Sequence, residues 1–321
     1  MPYVRVGLIE ASHWHAGMYV DALLRLGEQI VAVSDRSEAA ARRVAERVGC
    51  RWYADYAEML EREELDFAFS FGRHCEMPRI IEALLEAGVP FVTEKPAGVS
   101  YEQVRRLAEL AKSRGAFAGV ALAFRASAWV RELVNLKRSL GEPSYMYFRY
   151  VTGPPSRYVE WGCPWMLRRS EAGGGCLINL GVHYVDLAYY LTGREFELRG
   201  AAISSKNYSL EVEDYAALVL KSSDGRVAVV EVGYAPSRAV DAYYSVVFER
   251  GVATVRKRAL RVATEAGVKE RELADDHYFR LVKLALDAYR RGEKPPADLG
   301  DMARVMRVIS DAYKRVARSP S

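Results

Sequence analysis

The sequence predicts an α/β domain with a parallel, doubly wound sheet, followed by an α+β domain built on an open, mostly antiparallel sheet. Three observations predict it. Through residues 1–123, short apolar runs alternate with amphipathic helical patterns. Beyond residue 124, longer β-rich runs separated by turn residues take over. The chain's 321 residues, half of them hydrophobic, exceed one ordinary core and suit two domains, divided here as 1–123 and 124–321.

Residues 4–9 read as an apolar strand and Ala16–Leu26 as a helix with Met18, Leu23 and Leu24 on one side. Residues 30–33 form a second strand, closed by Ser34, Asp35 and Arg36, and Glu38–Val48 is helical. A strand at 65–71, a helix at 78–87 and a strand at Phe91–Thr93 continue the repeat, which implies a parallel sheet with right-handed crossovers. Ser100 as N-cap, with Gln103 in the capping-box position, starts a helix at Tyr101–Ser113, and 116–122 is a further strand.

In the second half, a helix at 128–139 leads into a strand at 145–151 and then a loop bearing Arg157, Tyr158, Trp161, Trp165, Arg168 and Arg169. Planar rings beside guanidinium forks suit a hydroxylated or anionic small molecule or a loop packed on its own domain. Gly173, Gly174 and Gly175 precede a helix carrying Asn179 and His183 four residues apart on one face, with Asp186 near it. Strands at 198–205, 215–221, Val227–Tyr234, 243–248 and after Gly251 complete a mostly antiparallel sheet, and helices at 277–291 and 300–316 close the chain.

The chemistry concentrates at strand ends. The apolar run before Thr93, Glu94, Lys95 and Pro96 reads as a buried strand stopping at the rim of the sheet, where ligands of open α/β sheets bind. The first strand-to-helix turn of such a unit ordinarily reads G-x-G-x-x-G, so that backbone can approach a pyrophosphate. Here it is Glu10, Ala11, Ser12, His13, Trp14, His15, without a glycine. Asp35 stands where an acidic residue holds a ribose hydroxyl pair, with Arg36 beside it; Asp35 favours NAD, and Arg36 could accept the extra phosphate of NADP. Phe71 and Gly72, at the end of the third strand, are expected on the same rim. Glu10, if it faces a pyrophosphate, repels it.

Composition excludes other classes. Forty-six Lys and Arg against 42 Asp and Glu leave +4, with the signs interspersed, so no nucleic-acid or membrane surface is predicted. Arg256, Lys257 and Arg258 are expected on an exposed edge strand guarded against pairing. Cys50, Cys75, Cys163 and Cys176 form neither a CxxC motif nor a disulfide framework, which predicts a reducing cytoplasm. Residues 1–6 carry no apolar targeting segment. Sparse glutamine and asparagine predict a thermophilic source.

Two stretches together resemble the Gfo/Idh/MocA family of NAD(P)-dependent dehydrogenases. One is Glu94, Lys95, Pro96 after an apolar strand. The other runs Gly173, Gly174, Gly175, Cys176, Leu177, Ile178, Asn179, Leu180, Gly181, Val182, His183, Tyr184, Val185, Asp186, closed by Leu191, Thr192, Gly193. Weaker echoes at Arg125, at Asp214 and in the last helices extend the likeness over nearly the whole chain. The resemblance implies a Rossmann domain holding NAD or NADP along Glu10, Ser12, His13, Trp14, His15, Asp35, Arg36, Phe71, Gly72, Glu94, Lys95 and Pro96. The second domain is expected to form a homodimer or homotetramer through its sheet. Lys95 is implied at the hydroxyl or carbonyl of a sugar- or polyol-like substrate, His183 as proton acceptor and Asn179 as its orienting group. Arg125, Trp165 and Arg168 are expected to bind substrate beside Asn179 and His183. A base on the oxygen and a cation for the developing alkoxide are what oxidation of a C–OH requires.

The chain departs from the pattern at its markers. Asn179 replaces a carboxylate, and an amide cannot stabilise an imidazolium, so a slow alcohol dehydrogenase or another proton route is expected. Arg73 to Met77 replace a Pro-x-x-x-His stretch, and Ala123 replaces an amide. Two other readings stay open on the residues: a non-redox ligand-binding relative in which Glu10, His13 and His15 fill the pyrophosphate site, and a metal site of His13 and His15 with His74 or Cys75.

Overall fold

A computed structural model describes residues 3–318. Six parallel strands, β1 (Arg5–Ile9), β2 (Gln29–Ser34), β3 (Arg51–Tyr53), β4 (Phe67–Ser70), β5 (Phe91–Thr93) and β6 (Ala118–Val120), lie in the order β3-β2-β1-β4-β5-β6. This is the dinucleotide-binding order, and its direction reverses between β1 and β4. Strand β4 is buried along its whole length, as expected where helices cover both faces of a parallel sheet.

The second sheet holds β7 (Pro143–Thr152), β8 (Phe196–Ser204), β9 (Tyr215–Ser222), β10 (Val227–Tyr234), β11 (Asp241–Phe248), β12 (Gly251–Arg256), β13 (Ala259–Thr264) and β14 (Gly267–Glu272). Their order is β14-β13-β12-β11-β7-β10-β9-β8, antiparallel except for the parallel pair β7 and β10. Helix Val182–Thr192 is buried at nearly every position and rests on the inner face of this sheet, where Tyr184 meets Phe148 and Tyr244.

On one face of the first sheet, Leu8, Phe67 and Phe69 pack with Tyr19 and Leu23 and with Leu281, Val282 and Leu286 of helix His277–Arg290. On the other, Ile80, Leu84 and Leu107 join a core that continues through Ile178 and Val185 into Phe148 and Val230. The two sheets take separate stretches of chain, β6 ending at Val120 and β7 starting at Pro143, while the penultimate helix packs back onto the first sheet.

Local sequence explains most boundaries. Ser37 accepts the Ala40 N–H to open Glu38–Val48, and Gly49 closes it at φ +75°. At Tyr101–Ser113, Ser100 accepts the Gln103 N–H while the Gln103 side-chain oxygen accepts the Val99 N–H. Besides single helical turns such as Arg157–Glu160 and Arg169–Ala172, four elements went unread. Strand β3 has three residues, two of them exposed, and helix Tyr56–Arg62, capped by Asp55, is only two turns long. Strand β13 mixes apolar and charged residues over six positions, and β14 is exposed throughout, so neither shows a clear apolar alternation. The basic run is not an edge strand. Arg256 ends β12, Lys257 turns at φ +56°, and the edge falls to β14. Among the described residues no helix is long and apolar enough to cross a membrane.

Candidate active site

Strand β5 ends at the sheet rim, where the Glu94 N–H is held by the Ser70 carbonyl at 2.8 Å and the Lys95–Pro96 peptide is cis. Lys95 is 5% exposed, and its Nζ donates to both the backbone oxygen (2.7 Å) and the side-chain oxygen (2.6 Å) of Asn179. Burial pulls its amine down to about 8, with the nearby Glu94 carboxylate opposing. Glu94 itself accepts from Tyr19 Oη at 2.8 Å and meets His15 Nδ1 at 3.1 Å, which together with His13 and Lys95 holds it ionised against burial.

Asn179 sits on a π-helical turn, Leu177–Gly181, of the kind often found at functional sites. Its Nδ2 donates to Tyr158 Oη at 2.6 Å, so its amide orients Lys95 and Tyr158, not His183 as expected. His183 is buried against Phe124 at 4.7 Å between ring centres, and its Nδ1 has no partner among the described residues. Burial first and Lys95 next push its pKa well below the usual imidazole range, so it is neutral at pH 7.

The glycines before this turn serve packing. A Cβ at Gly175 would meet the Glu213 carbonyl oxygen at 2.0 Å, and one at Gly174 would meet Tyr313 Oη at 2.0 Å. Their close approach is to this chain, where a ligand was expected.

Lys95, Asn179 and His183 border a cavity of about 440 Å³ between the two sheets. Trp14, His15 and Tyr278 face it from the first domain's side. Arg157, Tyr158, Trp161 and Arg238 face it from the second. Three expected substrate contacts lie elsewhere. Arg125 bridges Asp186 (2.6 and 2.9 Å) and Asp301 (2.9 Å), a buried ion triad that also removes Asp186 from the site. Trp165 is buried behind the cavity against His74, and Arg168 points outward to Glu171. In that loop aromatic spacing alone could not tell Trp161 from Trp165. The short helix Arg157–Glu160 decides which ring turns inward.

At the other end of the crevice, Glu10 adopts φ +58°, the left-handed region that glycine occupies without strain. Its buried carboxylate is held by Arg36 Nε at 2.9 Å, and the same guanidinium grips Glu76. Burial pushes the Glu10 carboxyl up and Arg36 opposes, so the charge expected to repel a pyrophosphate is offset within the chain. Asp35 is fully buried, and its two oxygens accept the N–H groups of Ser12 (2.6 Å) and Ser37 (2.8 Å). It secures the turn from inside and presents no open edge to a ribose. Gly72 leaves no room for a Cβ, which would meet Ile80 at 2.4 Å, and Phe71 packs edge-on to Tyr19. Ser12 is exposed and Pro96 buried on the same rim.

The histidine pair does not assemble a metal centre. His13 stacks on Trp14 at 3.7 Å, and its Nδ1 accepts the His15 N–H at 3.1 Å. His74 donates to the Ala172 carbonyl at 2.8 Å and is held neutral, its pKa brought to about 3 by burial and Lys95. Among the described residues no three His, Cys, Asp or Glu side chains are placed to hold a metal.

A doubly wound sheet in dinucleotide order, with a buried amine and a neutral imidazole at its rim, defines a Rossmann-type oxidoreductase. Residues 4–122 match the oxidoreductase family with an NAD-binding Rossmann fold, and 128–254 match the GFO/IDH/MocA C-terminal domain. The chain therefore belongs to the GFO/IDH/MocA family of NAD-binding oxidoreductases. It is 27% identical over 236 residues to D-apiose dehydrogenase of Paraburkholderia graminis, covering 73% of this chain and 60% of that protein. It is 27% identical over 315 residues to the dTDP-3,4-didehydro-2,6-dideoxy-α-D-glucose 3-reductase of Streptomyces violaceoruber, covering 89% and 87%. Among solved structures, an Agrobacterium radiobacter oxidoreductase in complex with NAD⁺, L-tartaric acid and magnesium superimposes with a TM-score of 0.89 at 19% identity, covering 99% and 97%. Levoglucosan dehydrogenase, in complex with NADH and levoglucosan, gives 0.84 at 17% identity, covering 98% of each chain.

The residues present fit a nicotinamide dinucleotide at its reactive end, where Lys95 and His183 line a cavity of about 440 Å³ and the buried Nδ1 of His183 has no partner among the described residues. Toward β2 the fit falls on Arg36, since Asp35 is closed off.

Proposed function

We propose that the protein oxidises a secondary alcohol of a sugar- or cyclitol-like hydroxy compound, or reduces the matching ketone, with Lys95 as the proton-transferring group. One observation carries this reading: the paired bonds from Lys95 Nζ to the two oxygens of Asn179. A neutral amine has two N–H groups, and both are engaged. The lone pair is left for the substrate hydroxyl. An amine brought to about 8 is close to neutral-pH chemistry, as a general base should be.

His183 serves as a neutral hydrogen-bonding group that positions the substrate oxygen. Taking the proton itself would charge a buried imidazole that has no carboxylate bonded to it among the described residues. Arg36 and Lys95 would hold the two ends of NAD⁺ or NADP⁺, which would supply the hydride acceptor. Trp14 and His15 line the cavity beside Lys95, and a substrate that displaces water there would strengthen the charge interactions.

Lys95→Met tests the reading. Turnover in the nicotinamide-reduction assay is expected to fall by about 10² or more, with the melting temperature kept or raised. Residual turnover close to wild type would make Lys95 a structural residue.

A second copy of the chain is proposed to cover the outer face of the second sheet, where Tyr147, Val229 and Val219 stand in cross-strand register, Tyr145 is two residues from Tyr147 on its strand and pairs with Val227, and Tyr145 and Val219 are exposed. Light scattering on the purified protein reads the oligomer directly.

A further inference from the structure

We infer that the substrate is an anion, a hydroxy acid whose carboxylate is gripped by Arg157; this rests on the dehydrogenase reading above. The cavity wall carries Lys95, Arg157, Arg238 and three histidines, and no aspartate or glutamate among the described residues reaches it. Its formally charged side chains are therefore all cationic. A neutral polyol brings several O–H groups that each need an acceptor, whereas a carboxylate accepts only.

Arg157 is the distinctive member. It forms no ion pair among the described residues, although most arginines of this chain pair with a carboxylate. Its guanidinium donates to the Gly153 carbonyl and to Tyr158 Oη at 3.0 Å, both neutral. It lies over the rings of Tyr158 at 4.8 Å, Tyr234 at 5.2 Å and Trp161 at 5.8 Å. A half-buried guanidinium fixed by rings and neutral acceptors is a cation held ready for an anion. Arg238, by contrast, is mostly exposed and is already paired with Glu160 at 3.0 Å, so it marks the rim.

The same residue connects to the chemistry. Tyr158 Oη accepts from both Arg157 and Asn179, and Asn179 holds Lys95. The carboxylate end and the reacting hydroxyl are thus placed at the two ends of one hydrogen-bonded chain. Trp14 and Trp161 also line the cavity and supply apolar surface beside the carbon skeleton that joins those two ends. A single guanidinium suits a singly charged carboxylate better than a doubly charged phosphate.

The experiment compares D-glucuronate, D-glucose and glucose phosphate as substrates with NAD⁺ and NADP⁺, and titrates each into the protein by calorimetry. The expected result is preference for the uronate by at least about tenfold in kcat/KM, with its KM rising with salt. Arg157→Gln should raise the uronate KM by about 10- to 100-fold with a smaller change in kcat, and Arg157→Lys should fall between, both at near-native melting temperature. Equal or better use of glucose or glucose phosphate, or an unchanged uronate KM in a folded Arg157→Gln, overturns the anion site and leaves the dehydrogenase reading standing. Uronate binding that is lost in Arg157→Gln without turnover of any compound keeps the anion site and retires the dehydrogenase reading. Should Arg157→Gln fail to fold, the salt dependence and the three-substrate comparison decide alone: the absence of both uronate binding and uronate turnover overturns the proposal.

Discussion

Lys95 Nζ and the side-chain oxygen of Asn179 lie 2.6 Å apart across 84 residues of chain, and the backbone oxygen of the same asparagine completes the clasp at 2.7 Å. In this fold the residue four positions before the histidine therefore sets the state of the lysine. An amide accepts from an amine without stabilising its charge strongly. That leaves Lys95 able to lose a proton near pH 8.

Replacing that amide by a carboxylate inverts the balance. In Asn179→Asp the new charge should pull the Lys95 pKa up toward its ordinary value. The limb of the kcat/KM profile that rises with pH in the oxidation direction should move up by one to two pH units. Activity at neutral pH should drop by about 10- to 100-fold. A faster enzyme with an unmoved limb would instead assign the proton to His183. Steady-state kinetics across the pH range read the difference.

The buried amine also links stability to pH. Its folded value of about 8 lies below the ordinary 10.5, so between these values the unfolded chain holds more protons than the folded one. The Lys95 contribution to unfolding free energy therefore rises with pH through that window and is a constant cost below about 8. The expected size is on the order of 3 kcal/mol. Lys95→Met removes the effect, so the mutant should exceed the wild type in stability near neutral pH and lose that advantage as the pH approaches about 10. Denaturant melts of both proteins at several pH values measure it.

Arg125 calls for a different expectation from the one its place in the sequence suggests. Its side chain is 10% exposed and compensates Asp186 and Asp301 together. Arg125→Ala leaves two carboxylates in low dielectric and should cost about 3 to 5 kcal/mol. The substrate KM should move little in protein that remains folded. Chemical denaturation and kinetics on the same preparation separate the two effects.

Coenzyme choice should follow the pull on Arg36. Glu10 and Glu76 both draw its guanidinium, and Asp35 is sequestered by the N–H groups of Ser12 and Ser37. Glu76→Gln releases one tether, with a partly exposed pair worth up to about 1 kcal/mol. NADP⁺ binding should tighten by as much as about fivefold relative to NAD⁺. Parallel calorimetric titrations with the two coenzymes test it, and an unchanged ratio would place Arg36 outside the phosphate's reach.

Much of the architecture was legible because its signals are local. The β-α repeat, the Ser100 cap and the lysine at the end of an apolar strand each depend on residues within one or two turns of each other. The elements that escaped, β3, β13 and β14, are short or exposed and carry no clear apolar period. In the site, Lys95, Asn179 and His183 were all recognisable, but the partner of Asn179 was not. Its choice of Lys95 and Tyr158 over His183 depends on how the π-helical turn faces the rim of the other sheet.

By itself the sequence determined the two-sheet plan, the glycine-free first turn and the presence of an amine and an imidazole suited to alcohol chemistry. Those follow from periodicity and residue type, which are properties of neighbours along the chain. Tertiary structure decided which charges meet: Arg36 with Glu10 and Glu76, Arg125 with Asp186 and Asp301, and Arg157 with rings instead of a carboxylate. Charged side chains are long and their attraction is non-local, so their pairing is selected by burial and by which strand ends the fold brings together.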